Sequence, residues 1–314
     1  MQPILVPKRQ SALKYLRTNW LLYVLSLPGL IYLVGYKLLP LIGLQLAFKD
    51  FNMFLGDNLL HSMFVSPWVG MKHFERLFGS ADFWRLLQNT LTISFMKLLI
   101  LFPLPILLAL MLNEARAKSF QRITQTLVYM PHFLSWVIIH GIFLTLLSSN
   151  GILNRVLDAL GMGKTSFYTD PAAFRWLLVL TEGWKECGWG AIVYLAALTG
   201  IDKELYEAAY VDGAGHMRRI WHITLPGILP VISLMLLLRV GGILEAGFSQ
   251  ILVMYNATVY QTADVLQTYI YRIGIGKLDF STATALGLFE SAVGFALIIT
   301  CNGISRRAFG RSLW

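Results

Sequence analysis

The chain has 314 residues, of which 56% are hydrophobic and only 14% are charged, and its mean hydropathy is +0.61. A soluble domain carries about 25% charged residues, so the composition excludes an ordinary soluble domain and indicates contact with lipid. The net charge of +9 then reflects Lys and Arg held on the cytoplasmic side of a membrane, and no nucleic-acid partner is expected.

Six apolar segments are long enough to cross a membrane, since a helix needs about 20 mostly apolar residues to do so. They lie at roughly 20–47, 87–112, 126–147, 175–200, 226–248 and 283–304. A signal peptide ends in a cleavage site soon after a short apolar core, whereas the first segment continues towards Ala47. We interpret it as a retained spanning helix that kinks or ends near Pro40. The fourth segment is the weakest, because Glu182, Lys185 and Glu186 interrupt it.

The charge of the connecting segments predicts their side of the membrane. The two termini and the connections after the second and fourth spans hold thirteen basic and five acidic residues in total, beginning with Lys8, Arg9, Lys14 and Arg17. The alternate segments are longer in total and hold nine basic and eight acidic residues. Because Lys and Arg concentrate on the cytoplasmic side, both termini are predicted to be cytoplasmic. The sequence therefore predicts an all-α integral membrane protein with six transmembrane helices.

The predicted cytoplasmic segment between the fourth and fifth spans contains the most informative pattern. Asp202 is a candidate N-cap for a short helix from Lys203 to Tyr210, and Gly213 and Gly215 are expected to break that helix. A second amphipathic segment, 217–223, is predicted to end at the following proline. A generic connection has no need for such an ordered helix–Gly–helix, so we expect this surface to fit a cleft on a partner.

The spacing of Glu207-Ala208-Ala209, Gly213, Ile223 and Leu225-Pro226 resembles the EAA loop of ABC importer permeases. The resemblance implies a type I importer permease fold, in which this loop is a coupling helix seated on a separate ATPase subunit. The positions that the resemblance assigns to ATPase coupling are Glu207, Ala208, Ala209, Asp212, Gly213, Ala214, Gly215, Ile223, Leu225 and Pro226. Small alanines would allow close approach, Gly213 would permit the turn, and Glu207 would pair with a basic group of the ATPase.

The resemblance covers nearly the whole chain. The stretches SPWVGMKHFERLF, YMPHFLSW, YLAALTGID and ELYEAAYVDGAG are similar to permeases of carbohydrate importers, in particular those for oligosaccharides from plant or algal polysaccharides such as pectin and alginate. It implies three regions: 1–85 with the tail, first helix and external loop; a permease core at 86–304 with coupling helices at about 202–223; and a basic cytoplasmic tail at 305–314.

The same resemblance implies the partners and the location. A second homologous permease, two ATPase subunits that bind ATP and Mg, and a periplasmic or surface sugar-binding protein would complete the importer in the bacterial cytoplasmic membrane. The sequence leaves open whether the second permease is a different chain or another copy of this one. It also leaves open which sugar is carried, an acidic, alginate-like oligosaccharide being one option.

Ionisable and aromatic residues at membrane depth mark a candidate substrate path, because buried charges in a bilayer usually face the bundle interior or a water-filled cavity. The candidates for the path are Trp184, Lys185, Trp189, Tyr194, Arg239, Glu245 and Glu290, and Lys97, Glu182 and Glu186 are further candidate charges that face the bundle interior or the path. Lys185 and Glu182 could instead form a structural i,i+3 pair. Arg239 offers donors that match a carboxylate, or it pairs with an acid from another helix or from the second permease.

No constellation in the sequence predicts catalysis by the chain itself. We expect no catalytic residues, no metal site and no cofactor, because the histidines lack the spacing of a metal pair and no complete phosphate-binding loop is present. ATP hydrolysis is therefore expected from a partner. The alternatives are a secondary transporter driven by an ion gradient, which would leave the EAA-like loop unexplained, and a membrane-bound enzyme, which would need a catalytic cluster.

Overall fold

A computed structural model describes residues 18–115 and 117–309. The predicted charges Lys8, Arg9, Lys14, Arg17, Arg116 and Arg311 lie outside these residues. Throughout the described ranges the regular structure is helical, apart from one isolated β-bridge between Lys49 and Trp68. The prediction of an all-α protein is therefore confirmed.

The helices follow one another with short connections. In chain order they are α1 (Trp20–Phe48), α2 (Leu59–Val65), α3 (Lys72–Phe78), α4 (Ala81–Asn113), α5 (Lys118–Tyr129), α6 (Trp136–Leu147), α7 (Ile152–Ala159), α8 (Pro171–Thr199), α9 (Lys203–Val211), α10 (His216–Gly241), α11 (Phe248–Met254), α12 (Leu266–Tyr271) and α13 (Phe280–Phe309). Single helical turns at Met130–Phe133, Ile243–Glu245, Ala257–Val259, Tyr260–Ala263 and Arg272–Gly276 lie between them.

Five stretches are long and apolar enough to cross a membrane, by length and composition alone: α1, α4, α6 with α7, α10 and α13. Helix α8 is not among them, because Glu182, Lys185 and Glu186 lower its hydropathy, yet its 29 residues exceed the roughly 20 that a span requires. The six-span count and the cytoplasmic termini remain predictions.

The third predicted span is not one helix. The prediction of a continuous segment at 126–147 is wrong, because a tight turn at Met130–Phe133 and an extended Leu134 separate α5 from α6. Pro131 cannot donate a backbone hydrogen bond, and the Ser135 hydroxyl caps α6 by accepting from the Ile138 N–H at 3.3 Å. The chain therefore changes direction at this point.

The fifth predicted span also differs from expectation at both ends. The segment expected to stop at Pro226 continues through it, because Ile220–Thr224 forms a π-turn in which the Leu225 N–H donates to the Ile220 carbonyl. This wider turn accommodates Pro226, which has no backbone N–H to donate. At the other end α10 stops at Gly241 instead of continuing to 248.

Helix α8 is the centre of the bundle. Its first half buries Phe174, Leu177 and Leu178 in one apolar cluster, and its second half packs in another that includes Tyr194 and Ile228. Burial of such side chains contributes about 25 cal/mol per Å² of apolar surface. Helix α8 thereby contacts α4, α5 and α10 and places its charged middle among them.

Two contacts join segments that are predicted on the same side of the membrane. Glu114, after α4, is 3.6 Å from the ring nitrogen of His216 at the start of α10. At the opposite end, the Arg175 side chain donates to the Thr262 carbonyl at 3.0 Å. Each of these two contacts joins segments that the charge pattern predicts on one side of the membrane.

Candidate coupling surface and transport cavity

The segment from Asp202 to Pro226 forms an ordered elbow, as predicted; we call it the elbow below. The Asp202 carboxylate caps α9 by accepting from the Glu204 N–H at 3.0 Å. At the far end, the Gly213 N–H donates to Tyr210 and the Ala214 N–H to Ala209, which is a Schellman C-cap. Its left-handed residue is Gly213, at φ 73°.

The two arms of the elbow are joined by a side-chain hydrogen bond. The Tyr206 hydroxyl and the Thr224 hydroxyl are 3.0 Å apart, and Thr224 is 1% exposed. Close to this bond, a Cβ on Gly227 would lie 2.8 Å from the Ile201 side chain, so the arms approach closely. The elbow and the first turns of α10 therefore form one packed unit.

Most of the elbow surface is free within the chain. No residue of α9 is buried, and the exposed apolar side chains are Leu205, Tyr210, Val211, Met217 and Trp221, which are 54–85% exposed. Of the predicted coupling residues, Glu207, Ala208, Asp212, Gly213, Gly215 and Pro226 are exposed and Ala209, Ala214, Ile223 and Leu225 are half-buried. Surfaces of this kind mark interaction sites.

A cavity of about 670 Å³ lies beside the middle of α8. Among its lining residues are four of the predicted path residues, Trp189, Tyr194, Arg239 and Glu245. Further side chains on its wall come from several helices: Trp136, Glu186, Gln250 and Gln267. The lining combines flat aromatic rings, a guanidinium, carboxylates and amide groups, which suit a polar ligand with flat faces.

The aromatic wall is held in a fixed orientation. The Trp189 indole stacks on the His132 ring with centroids 4.3 Å apart and an interplanar angle of 2°. The His132 ring nitrogen Nδ1 lies 2.8 Å from a Glu186 carboxylate oxygen. One face of the indole is thus covered, while the side chain keeps 44% of its exposure.

A partly buried ionic cluster extends from this wall into the bundle. Glu182 on α8 accepts from Lys97 of α4 through Oε2 at 2.6 Å and from Arg239 of α10 through Oε1. The i,i+3 pair of Lys185 with Glu182 is not formed; instead the Lys185 ammonium donates to the carbonyls of His132 and Leu134. A buried lysine thereby satisfies backbone groups that the break before α6 leaves free.

Three predicted path residues are not on the cavity wall. Trp184 lines a separate apolar groove of about 680 Å³, Lys185 turns to the carbonyls before α6, and Glu290 on α13 has one buried carboxylate oxygen without a hydrogen-bond partner among the described residues. Spacing along a helix shows which residues share a face, but what that face contacts depends on the neighbouring helices. The sequence therefore could not tell which path residues line the cavity.

The sequence pointed to Lys97 and Glu182 as candidate charges at membrane depth, but it did not place them beside Arg239, and it gave no sign of Gln250. The convergence of these side chains required the fold. The break between α10 and α11, with Ala246 at φ 50° and Gly247 at φ 85°, had only the neighbouring glycines as a signal.

Comparison with known proteins agrees with this geometry. The family model described as binding-protein-dependent transport system inner membrane component matches residues 101–313. The polygalacturonan/rhamnogalacturonan transport system permease protein YteP of Bacillus subtilis is 43% identical over 96% of this chain and 92% of its own length. Protein LplB of the same organism is 44% identical over 95% of this chain and 91% of its own length.

Solved structures give the same result. A chain from a bacterial ABC transporter involved in the import of the acidic polysaccharide alginate superposes with a TM-score of 0.87, at 43% identity, covering 95% of this chain and 99% of that one. A second, from an alginate ABC transporter in complex with an alginate pentasaccharide-bound periplasmic protein, has a TM-score of 0.87 at 41% identity, covering 97% and 100%.

These matches define an ABC-transporter permease of the type I importer fold. The chain belongs to the family of binding-protein-dependent transport system inner membrane components. It is a multi-pass integral membrane transport subunit, and the family assignment favours the importer over the ion-gradient transporter and the membrane-bound enzyme.

Proposed function

We propose that the chain is the permease subunit of an ATP-driven importer that carries an acidic oligosaccharide across the bacterial cytoplasmic membrane. The observation that carries the proposal is the elbow: an ordered surface, free within the chain, that continues without interruption into α10, the helix whose far end reaches the cavity. An importer requires such a connection between the site of ATP hydrolysis and the transport path.

Helix α10 supplies the mechanical link. From Arg219, within the elbow, to Arg239, on the cavity wall, the chain runs twenty residues along one helix, which corresponds to about 30 Å at 1.5 Å per residue. A packed helix moves as a unit, so displacement of the elbow displaces the cavity wall. Alternating access then follows if ATP and the loaded binding protein each favour one conformation.

The assembly that fits this role has a second permease, two ATPase subunits holding ATP and Mg, and an external sugar-binding protein. One solved neighbour supports the binding protein in this assembly, since it is a transporter in complex with an alginate pentasaccharide-bound periplasmic protein. The permease core would extend from about 86 to 304, preceded by the first helix with its external segment and followed by the basic tail.

The acidic substrate rests on Arg239. Its side chain is 49% exposed on the wall that also carries the stacked Trp189. A guanidinium presents a planar fork of donors that matches a carboxylate, and an indole face suits a sugar ring. Two relatives support this chemistry through their names, one in polygalacturonan transport and the other in alginate import.

The test is co-expression with the second permease, the ATPase subunit and the binding protein, followed by reconstitution. ATPase activity should rise when the binding protein is loaded with an oligouronate, and by much less with neutral oligosaccharides. No response to any oligosaccharide would reject the importer, and an equal response to neutral and acidic ones would reject the acidic substrate.

A matched pair of variants tests the elbow as the coupling surface. Aspartate replaces Val211, which is 85% exposed on the elbow, in one variant. In the other it replaces Met162, which is 72% exposed at the opposite end of the bundle. Val211→Asp should abolish co-purification of the ATPase, because a charge would be desolvated in the contact, whereas Met162→Asp should leave it intact. Retention of the ATPase by Val211→Asp would contradict the assignment.

A further inference from the structure

Two cations share a single carboxylate in the partly buried ionic cluster. Lys97 binds one oxygen of Glu182 and Arg239 binds the other. The environments of the two cations differ sharply, since 3% of the Lys97 side chain is exposed against 49% of the Arg239 side chain. Of these two cations, only Arg239 lines the 670 Å³ cavity.

Lys97 is fixed in place. Its three ammonium donors meet three acceptors: Glu182 Oε2 at 2.6 Å, the Ala246 carbonyl at 2.8 Å and Gln250 Oε1 at 2.6 Å. Gln250 is oriented in turn, because its amide donates to the Leu178 carbonyl at 2.7 Å. An ammonium with every donor satisfied has no further bond to offer.

The backbone closes around this ammonium group. The chain between α10 and α11 is left-handed at Ala246 and Gly247, and that turn aims the Ala246 carbonyl at Lys97. A Cβ on Gly247 would lie 2.6 Å from the Lys97 nitrogen and 3.3 Å from Glu182 Oε2. The break in the helix therefore forms a cradle shaped to the Lys97–Glu182 pair.

The pairing has a consequence for Arg239. A buried carboxylate that loses its only cation is strongly destabilised, so a simple Glu–Arg pair would hold its arginine tightly. Here Lys97 continues to neutralise Glu182 after Arg239 departs. The departure of Arg239 is thereby made less costly, and the net charge of the cluster, +1, resides on the side chain that faces the cavity.

We propose that Arg239 is an exchangeable cation: it leaves Glu182 for a carboxylate of the passing acidic sugar, while Lys97 keeps Glu182 neutralised and in place. Lys97 and Glu182 are positioning residues and Arg239 is the substrate contact. This inference rests on the proposed import of acidic oligosaccharides and assigns the residues that recognise their charge.

The proposal predicts opposite effects for two changes. Lys97→Met leaves Arg239 as the only cation of Glu182, so Arg239 should be held and its contact with a sugar carboxylate weakened. The double variant Lys97→Met/Glu182→Gln removes both charges with little change in volume, so Arg239 should again be free. A purely structural role for the pair predicts no such recovery of carboxylate recognition.

The experiment measures Arg239 directly in the assembled importer in nanodiscs. Phenylglyoxal labelling is followed by mass spectrometry, without ligand, with trigalacturonate, and with its methyl ester, which is uncharged and of similar shape. In the unaltered protein trigalacturonate should protect Arg239 and the ester should not. Arg239 of Lys97→Met should label about tenfold more slowly, a factor of the order of one charge-assisted hydrogen bond, because Arg239 is then the only cation that neutralises Glu182, and it should lose the protection.

Arg155, which is exposed on α7 and lies outside the elbow, serves as an internal control in the same digest. Equal labelling of Arg239 in Lys97→Met and the unaltered protein, or equal protection by acid and ester, would overturn the proposal. If Lys97→Met does not assemble, the double variant is measured by itself. Failure of trigalacturonate to protect Arg239 in the double variant would then overturn the proposal. Acid-specific protection without uptake of trigalacturonate would leave this inference standing and reject the import function instead.

Discussion

Replacement of Gly213 by alanine should weaken coupling between ATP hydrolysis and transport. Gly213 is the left-handed residue of the cap that joins the arms of the elbow, at φ 73°, and a Cβ there would meet no atom within 4 Å. The penalty is therefore purely one of backbone conformation. For an L-residue it is about 1–2 kcal/mol.

That penalty changes the population of the ordered elbow by a factor of about 5 to 30. Because α9 buries none of its residues within the chain, little packing is available to offset the strain. We expect ATPase activity stimulated by the loaded binding protein to fall several-fold in Gly213→Ala. The assay is ATP hydrolysis and uptake by the reconstituted complex, with expression and assembly measured in parallel.

Gly215 provides the matched control. A Cβ at this position would also meet no atom within 4 Å, but the φ of Gly215 is −64°, which alanine adopts freely. Gly215→Ala should therefore behave like the unaltered protein, and Gly213→Asn should be intermediate, since asparagine tolerates the left-handed region. Equal losses in Gly213→Ala and Gly215→Ala would refute the reasoning.

Two further predictions concern stability. Gly188→Ala should destabilise the chain by about 1–3 kcal/mol, because the added Cβ would overlap a backbone carbonyl of α5. The control Gly141→Ala should not destabilise the chain, because a Cβ there meets no atom within 4 Å. Thermal unfolding in detergent compares the two variants. Arg272→Met should cost about 3–5 kcal/mol of stability, because it leaves the Asp264 side chain, 2% exposed, buried without its cation. Arg85→Met, which removes the cation of the exposed Arg85–Asp82 pair, should cost under about 1 kcal/mol. Comparable losses in the two variants would contradict the prediction.

The presence of apolar helices long enough to span a membrane, and the elbow, were predictable from local sequence. Apolar runs of sufficient length require a helix in lipid, since every backbone group must be satisfied within the segment. The elbow was predictable because Asp202 and Gly213 have local roles, as an N-cap and as a left-handed turn residue. The sequence did not distinguish Gly213 from Gly215, because φ is set by the path of the following helix.

The breaks in the helices were less predictable. Hydropathy does not detect a turn inside an apolar segment. It therefore predicts continuous spans where the chain changes direction, at Met130–Phe133 and between α10 and α11. The polar backbone groups at these breaks are tolerated because side chains from elsewhere, such as Lys185 and Lys97, satisfy them.

The sequence by itself determined that this protein is helical, that it lies in lipid and that one connection is an ordered elbow, since composition, apolar length and capping act over a few residues. Only the tertiary structure decided that Lys97, Glu182 and Arg239 meet. They come from α4, α8 and α10, and the energy of an ion pair in a membrane depends on distance and burial, neither of which a local pattern contains.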